Sequence, residues 1–193
     1  MNFTRLKHTL ALYLINSAPG RADYLRKNNI FGMIGEKVAY SPRVVPLYPQ
    51  LIKIHNNVNM AAGIKFITHD VSDNMINNYL KKNEIEDRLK EKIGCIEIMD
   101  NVFVGAYSKI LYDVRIGENC IIGAGSLVVK DIPPNSIAAG VPCRVIGQFD
   151  EFVKKRLAEG DKMYENCPVP LRGMSIPEET AQYAWKEFEK NRR

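Results

Sequence analysis

The stretch IMDNVFVGAYSKILYDVRIGENCIIGAGSLVV, residues 98–129, repeats with a period of six. Ile98, Val104, Ile110, Ile116, Ile122 and Val128 stand six apart without a miss, in a chain where Ile and Val together make up about one residue in six. Chance does not produce such a column. Four positions after each member come Val102, Ser108, Val114, Cys120, Ser126 and Ile132, mostly small or β-branched, and Gly105, Gly117 and Gly123 directly follow the first column. A strand alternates with period two and a helix scatters a six-residue spacing around its cylinder. Short strands joined by tight glycine-rich corners fit both columns. Three hexads make one triangular coil, whose aliphatic column points into a narrow interior and stacks on its neighbours.

Working outward, a weaker copy of the frame runs through Ile34, Tyr40, Pro46, Ile52, Val58 and Ile64, with Val38, Val44, Ala62 and Thr68 in its second column. The distance from Ile64 to Ile98 is not a multiple of six, so an excursion interrupts the coil over about Asp70 to Glu91. Ile85 with Leu89 and Glu86 with Lys90 have helical spacing and predict one short helix there. A connection this long inside a compact domain is often a lid or binding loop, and otherwise a solvated insertion. After Val128, the adjacent Pro133 and Pro134 break the frame, and a last coil follows through Ala138 to Pro142. Stacked coils need caps. The expected organisation is therefore an N-terminal helical segment over 1–30, the repeat domain with its loop over 31–147, and a C-terminal helical segment over 148–193. In that last segment 151–159 and 178–190 read as helices, the second with Ala181, Ala184, Trp185 and Phe188 as an apolar face.

Composition bounds the rest. A chain of 193 residues with 46% hydrophobic residues can bury a sizeable core and is neither disordered nor collagen-like. The net charge of +5 and pI near 9.0 favour acidic small molecules, nucleic acid or anionic surfaces as company. No interleaved basic-aromatic stripe points to nucleic acid. Cys95, Cys120, Cys143 and Cys167 show no CxxC spacing, and three of them fall in repeat core or at its edge, which reads as a reducing, cytoplasmic compartment. The run Leu10 to Ile15 after Arg5 and Lys7 is too short for a signal core or an integral membrane span. Phe3, Leu6, Leu10 and Leu14 instead predict the packed face of an amphipathic helix, with loose membrane-surface contact as the other reading.

The segment from Ile116 to Ser126, followed by Val129-Lys130-Asp131-Ile132-Pro133 and by Ala139-Gly140-Val141-Pro142-Cys143-Arg144-Val145-Ile146, resembles the hexapeptide-repeat acetyltransferases. It is most similar to the galactoside, maltose and capsular-sugar O-acetyltransferases and to the xenobiotic group, over about residues 31–147. The resemblance implies a mainly β fold, a left-handed parallel β-helix, assembled as a homotrimer with active sites between neighbouring coils. It implies acetyl-CoA as donor and no metal requirement. Carried over by position, Gly105, Ala106 and Ala124 lie along the coenzyme arm, and Lys130 and Arg144 meet its phosphate or adenine end. This chain has Gly147 where such enzymes often carry a further Arg, so the charged end of the coenzyme is held less tightly or by a C-terminal cation such as Lys154 or Lys155.

Acyl transfer from a thioester to a hydroxyl needs a base, and histidine suits that task near neutral pH. The chain offers His8, His55 and His69. His69, at the brink of the excursion, occupies the place of the family's catalytic histidine and is the expected general base in a ternary complex. A backbone N–H near Gly105 or Ala106 is the expected oxyanion donor. Asp70 or Asp73 is the candidate to orient the imidazole, and Asp70, His55 and Asn57 are the candidate acceptor contacts. The acceptor is expected to be a hydroxyl of a sugar or saccharide precursor, with a streptogramin or chloramphenicol-type xenobiotic as the alternative. Two readings of a different class are a gamma-type zinc carbonic anhydrase, which needs three converging histidines, and a non-catalytic scaffold.

Overall fold

The structure, a computed structural model, describes residues 3–159, 176–190 and 192, in two compact units, Met1–Phe149 and Asp150–Arg193. The first unit opens with helices α1 (Phe3–Leu14) and α2 (Ala18–Lys27). Strands β1 (Met33–Ile34), β2 (Ala39–Tyr40), β3 (Ile52–Ile54), β4 (Asn59–Met60) and β5 (Lys65–Ile67) follow. The excursion consists of β6 (His69–Asp70), α3 (Ser72–Lys82) and β7 (Lys92–Ile93). The regular repeats supply β8 (Ile96–Ile98), β9 (Val102–Val104), β10 (Lys109–Leu111), β11 (Val114–Ile116), β12 (Cys120–Ile122) and β13 (Leu127–Val128). The unit ends on β14 (Ser136–Ala139) and β15 (Arg144–Gln148).

Apart from the β6–β7 pair, these strands form three sheets, ordered β1-β3-β8-β11, β15-β14-β12-β9-β4-β2 and β13-β10-β5, and from β3 to β13 the coil visits them in turn. Pairing is parallel, with Ile98 on Ile116, Val104 on Ile122 and Ile110 on Val128, so each regular coil advances by 18 residues. All six members of the first column are fully buried, and each buried aliphatic side chain contributes about 1.5–3 kcal/mol. The second column is buried too, and its hydroxyls are paired: Ser108 Oγ donates to Gly105 O at 2.9 Å and Ser126 Oγ to Gly123 O at 2.6 Å. Buried hydroxyls without such partners would cost stability.

Where the sequence frame weakens, the register changes. Ile34 pairs with Ile54 and Tyr40 with Met60, an advance of 20 residues rather than the 18 that the Ile34–Ile52 column implies. A 3-10 turn at Pro49–Leu51 lies within the longer coil, and Val45, not Pro46 or Val44, fills the interior there. On either side of the prolines, Ile132 bridges to Ile116 and Ala138 pairs with Ile122, an advance of 16, so Ile132 takes a first-column place.

One corner is a ladder of asparagines in the left-handed backbone region, at φ 53°, 59° and 54° for Asn57, Asn101 and Asn119. Asn57 Nδ2 donates to Asn101 Oδ1 at 2.8 Å and Asn101 Nδ2 to Asn119 Oδ1 at 2.9 Å. Asparagine tolerates this conformation better than most residues, and the amide bonds tie one coil to the next.

Both ends of the stack are covered. Arg21 Nε donates to Tyr40 O at 2.9 Å and Arg26 Nε to Ile34 O at 3.1 Å, so α2 satisfies carbonyls at the first strand edge. Ser17 caps α2 by accepting from Gly20 N. At the far end β15 turns back antiparallel on β14, a reversal the repeat pattern does not announce. Helix α1 forms as expected, but its buried residue is Leu12, while Phe3, Leu10 and Leu14 are exposed. The i, i+4 apolar stripe is therefore not the packed face. In the excursion, too, the helix is displaced: α3 occupies Ser72–Lys82, and residues 85–90 form no regular element.

In the second unit, α4 (Phe149–Glu159, starting at the last residue of the first unit) and α5 (Glu178–Lys190) match the expected helices. Trp185 is exposed and stacks edge-on against Phe188 at 5.4 Å, and the buried residue of α5 is Thr180. Cys167 lies outside the described residues.

Candidate active site

The excursion leaves and rejoins the coil at a single corner, between the third sheet and the first. Gly94 N donates to Thr68 O at 2.9 Å, and β6 and β7 pair antiparallel, His69 with Ile93 and Asp70 with Lys92. His69 is thus held in a short ladder at the stem, one residue beyond the buried Thr68, rather than in a free loop. Its ring meets that of Tyr48 edge-on, with centroids 5.3 Å apart and planes at 79°. Thr68 Oγ1 donates to Leu47 O at 2.8 Å, which fixes the segment bearing Tyr48. The Tyr48 hydroxyl donates to the Glu91 carboxylate at 3.1 and 3.2 Å, and that bond raises the phenol above its usual range. Tyr48 therefore links the returning end of the excursion to the imidazole. Its backbone is left-handed, φ 47°, and no turn residue announces it in the sequence.

His69 lines a cavity of about 330 Å³ together with Arg5, Tyr40, Arg43, Leu47 and Lys65. That is near the lower end of small-molecule pockets, about 300–1,000 Å³. Nδ1 of His69 is buried with no hydrogen-bond partner among the described residues. An imidazole nitrogen shielded from water and unpaired is available to an incoming group. A second cavity, about 420 Å³, shares Arg5, Pro46 and Leu47 with the first and holds no His69.

The other candidate residues are placed elsewhere. His55 Nε2 contacts Glu97 Oε1 at 3.0 Å, and Glu97 Oε2 accepts from Arg115 Nε at 2.8 Å, on the first sheet. The His55 bond, ahead of Arg115, holds the Glu97 carboxyl below its usual range. Neither His55 nor Asn57 lines the His69 cavity: strand position commits the first to Glu97, and a left-handed corner commits the second to the asparagine ladder. Asp70 accepts from Ser72 N at 2.8 Å, which lowers its pKa and turns it toward the start of α3 rather than toward His69. Asp73 Oδ1 is buried and unpaired among the described residues.

Gly105 is buried, and a Cβ there would meet the backbone of Ala124 in the next coil. Its N–H donates to Ile122 O at 2.8 Å, so it is spent on the ladder and is not an oxyanion donor. Ala106 and Ala124 occupy equivalent places in successive coils, joined where Gly125 N donates to Ala106 O at 2.8 Å. Lys130 and Arg144 are both exposed. The turn before Arg144 is bound to β13, with Cys143 N donating to Leu127 O at 2.8 Å. His8 pairs with Tyr24 at 2.8 Å. Among the described residues, no group of three His, Cys, Asp or Glu side chains is gathered to hold a metal, and no helix is long and apolar enough to cross a membrane.

A rotating three-sheet coil with an 18-residue advance, and an imidazole at the stem of its one long excursion, defines a class. Residues 96–130 match the model of the bacterial transferase hexapeptide (six repeats) family. Over 100 residues the chain is 40% identical to the galactoside O-acetyltransferase of Escherichia coli (strain K12), a match covering 52% of this chain and 45% of that protein. The chain thus spans less than half the length of that curated relative. Among solved structures, a galactoside acetyltransferase in complex with coenzyme A matches with a TM-score of 0.53 and 28% identity, covering 86% of this chain and 88% of that one. A maltose O-acetyltransferase from Clostridium difficile 630 matches with a TM-score of 0.52 and 26% identity, covering 75% and 84%.

Proposed function

We propose that the chain is a left-handed parallel β-helix acting as an acetyl-CoA-dependent O-acetyltransferase on a hydroxyl of a sugar or saccharide precursor, as a cytoplasmic homotrimer. The observation that carries the reading is His69, placed by a structural stem in a cavity of small-molecule size with an unpaired ring nitrogen. The named relatives support it: the Escherichia coli and Clostridium difficile proteins are sugar O-acetyltransferases by name, and the galactoside acetyltransferase was solved with coenzyme A bound.

In the ternary complex His69 takes the proton of the acceptor hydroxyl as its oxygen attacks the thioester carbonyl. Collapse of the tetrahedral adduct breaks the C–S bond, and the imidazolium returns its proton to the departing thiolate. The thioester supplies the activated acetyl group. The small side chains of Ala106 and Ala124 let the coenzyme arm approach the backbone, and the exposed Lys130 and Arg144 meet its phosphates. Tyr48 holds the imidazole in place.

The test is release of coenzyme A thiol from acetyl-CoA, measured against sugars, nucleotide sugars, chloramphenicol and a streptogramin. Turnover of a sugar class above background hydrolysis is expected. Turnover of the antibiotics alone would move the acceptor to the xenobiotic class, and failure to bind acetyl-CoA at all would leave a non-catalytic scaffold.

A further inference from the structure

We infer that the acceptor carries an anionic group, a carboxylate or a phosphate ester, seated against Arg5 and Arg43 in the His69 cavity. The inference rests on the reading of that cavity as the acceptor site.

The cavity wall is cationic and uncompensated. Arg5, Arg43 and Lys65 line it beside the imidazole of His69, and among the described residues no Asp or Glu does. Both arginines are half-buried. Each is anchored by one main-chain bond, Arg5 Nε to Val45 O at 2.7 Å and one Arg43 terminal nitrogen to Tyr13 O at 2.7 Å. A guanidinium has five N–H donors, so most of each fork is left for a ligand. Lys65 is exposed. Through Tyr40, another lining residue, the cavity backs onto a further guanidinium. Arg21 is 4% exposed, and its bonds go to the carbonyls of Tyr40 at 2.9 Å, Ile15 at 2.6 Å and Asn16 at 3.1 Å. Burial first, and then the charge of Arg43, hold Arg21 below the usual arginine range.

Among the described residues no carboxylate is ion-paired with Arg5, Arg21, Arg43 or Lys65. The fold elsewhere pairs its cations readily, as Arg115 with Glu97 and Arg26 with Asp23 show. A neutral sugar ring would leave the positive potential of this wall unanswered. An oxyanion on the acceptor would answer it through charge-assisted, bidentate hydrogen bonds, and would hold the ring so that its hydroxyl faces the imidazole.

Equilibrium binding of galactose, galacturonate and galactose 6-phosphate to the full chain, measured by calorimetry, tests this without requiring turnover. Binding of at least one acidic ligand about tenfold or more tighter than galactose is expected, and a loss of about tenfold in Arg43→Gln and in Arg5→Gln. Galacturonate as the stronger ligand assigns a carboxylate, and galactose 6-phosphate assigns a phosphate ester. Equal affinity for neutral and acidic ligands, no binding of any of them, or acidic affinity unchanged in both variants overturns the inference. Acetyl transfer is read separately: its absence alongside tight anion binding would sink the enzymatic reading and leave the anion site standing.

Discussion

Gly105→Ala tests the coil-to-coil spacing at its tightest point. A Cβ at Gly105 would lie 2.7 Å from Ala124 Cα and 2.8 Å from Gly123 C, and closer still to Ala124 N. These are backbone atoms of the next coil and have no rotamer to change. Forcing a methyl group into such a contact costs about 1–3 kcal/mol, and spreading the coils also weakens the Gly105 N–H bond to Ile122 O, about 1 kcal/mol more. A loss of about 3 kcal/mol corresponds to a midpoint lowered by about 6–12 °C in a domain of this size. Gly125 is the internal control: nothing lies within 4 Å of its Cβ position, but its φ is +71°. Gly125→Ala should cost only the left-handed backbone penalty, about 1–2 kcal/mol. Thermal unfolding followed by circular dichroism, at one fixed protein concentration, ranks the two. A Gly105→Ala protein as stable as the wild type, or more stable than Gly125→Ala, would refute the close approach.

Ile116 is fully buried between Ile98 and Ile132, and Ile116→Ala should destabilise by about 2–5 kcal/mol in urea titration; a change within experimental scatter would mean that the interior column is not packed. Hydrogen bonds from His55 and Arg115 hold Glu97 below its unfolded carboxyl range, so its contribution is present above about pH 4.3 and is lost as pH falls through the depressed folded value. Glu97→Gln should therefore be less stable than the wild type at neutral pH, with the gap closing as pH falls below about 4.3, and a gap that does not change with pH contradicts the assignment. Tyr48→Phe keeps the ring against His69 and should retain most turnover, whereas Tyr48→Ala should lose about tenfold or more in kcat; equal loss in both would place the effect in the Glu91 bond instead.

The repeat was legible because its physics is local: one buried aliphatic every six residues, with a turn after it. The same logic fails where coil length changes. Nothing in 46–52 shows that Val45 rather than Pro46 turns inward, because two extra residues are absorbed by a turn that carries no glycine. The short helix was placed on 85–90 from two i, i+4 pairs, yet Ser72–Lys82 forms it, with Asp73 in its first turn and Lys81 and Lys82 in its last. The place of His69 at the brink of the excursion was legible in the sequence. Its partners were not, since Tyr48, Arg5 and Arg43 reach it from segments 21 to 64 residues away in sequence, and only the folded coil and α1 bring them to the cavity. Asn57 and His55, expected as acceptor contacts, bond to the next coil and do not line the His69 cavity, because a corner asparagine and a strand-end histidine look alike to sequence whether they meet a ligand or the next coil.

Acetyl transfer by His69→Ala, with acetyl-CoA affinity measured on the same preparation, addresses the central claim most directly. Turnover should fall by about 10²-fold to 10⁴-fold while coenzyme binding and the unfolding midpoint stay at wild-type values. Undiminished turnover in the purified variant would take His69 out of the chemistry and, with it, the assignment of this cavity as the active site.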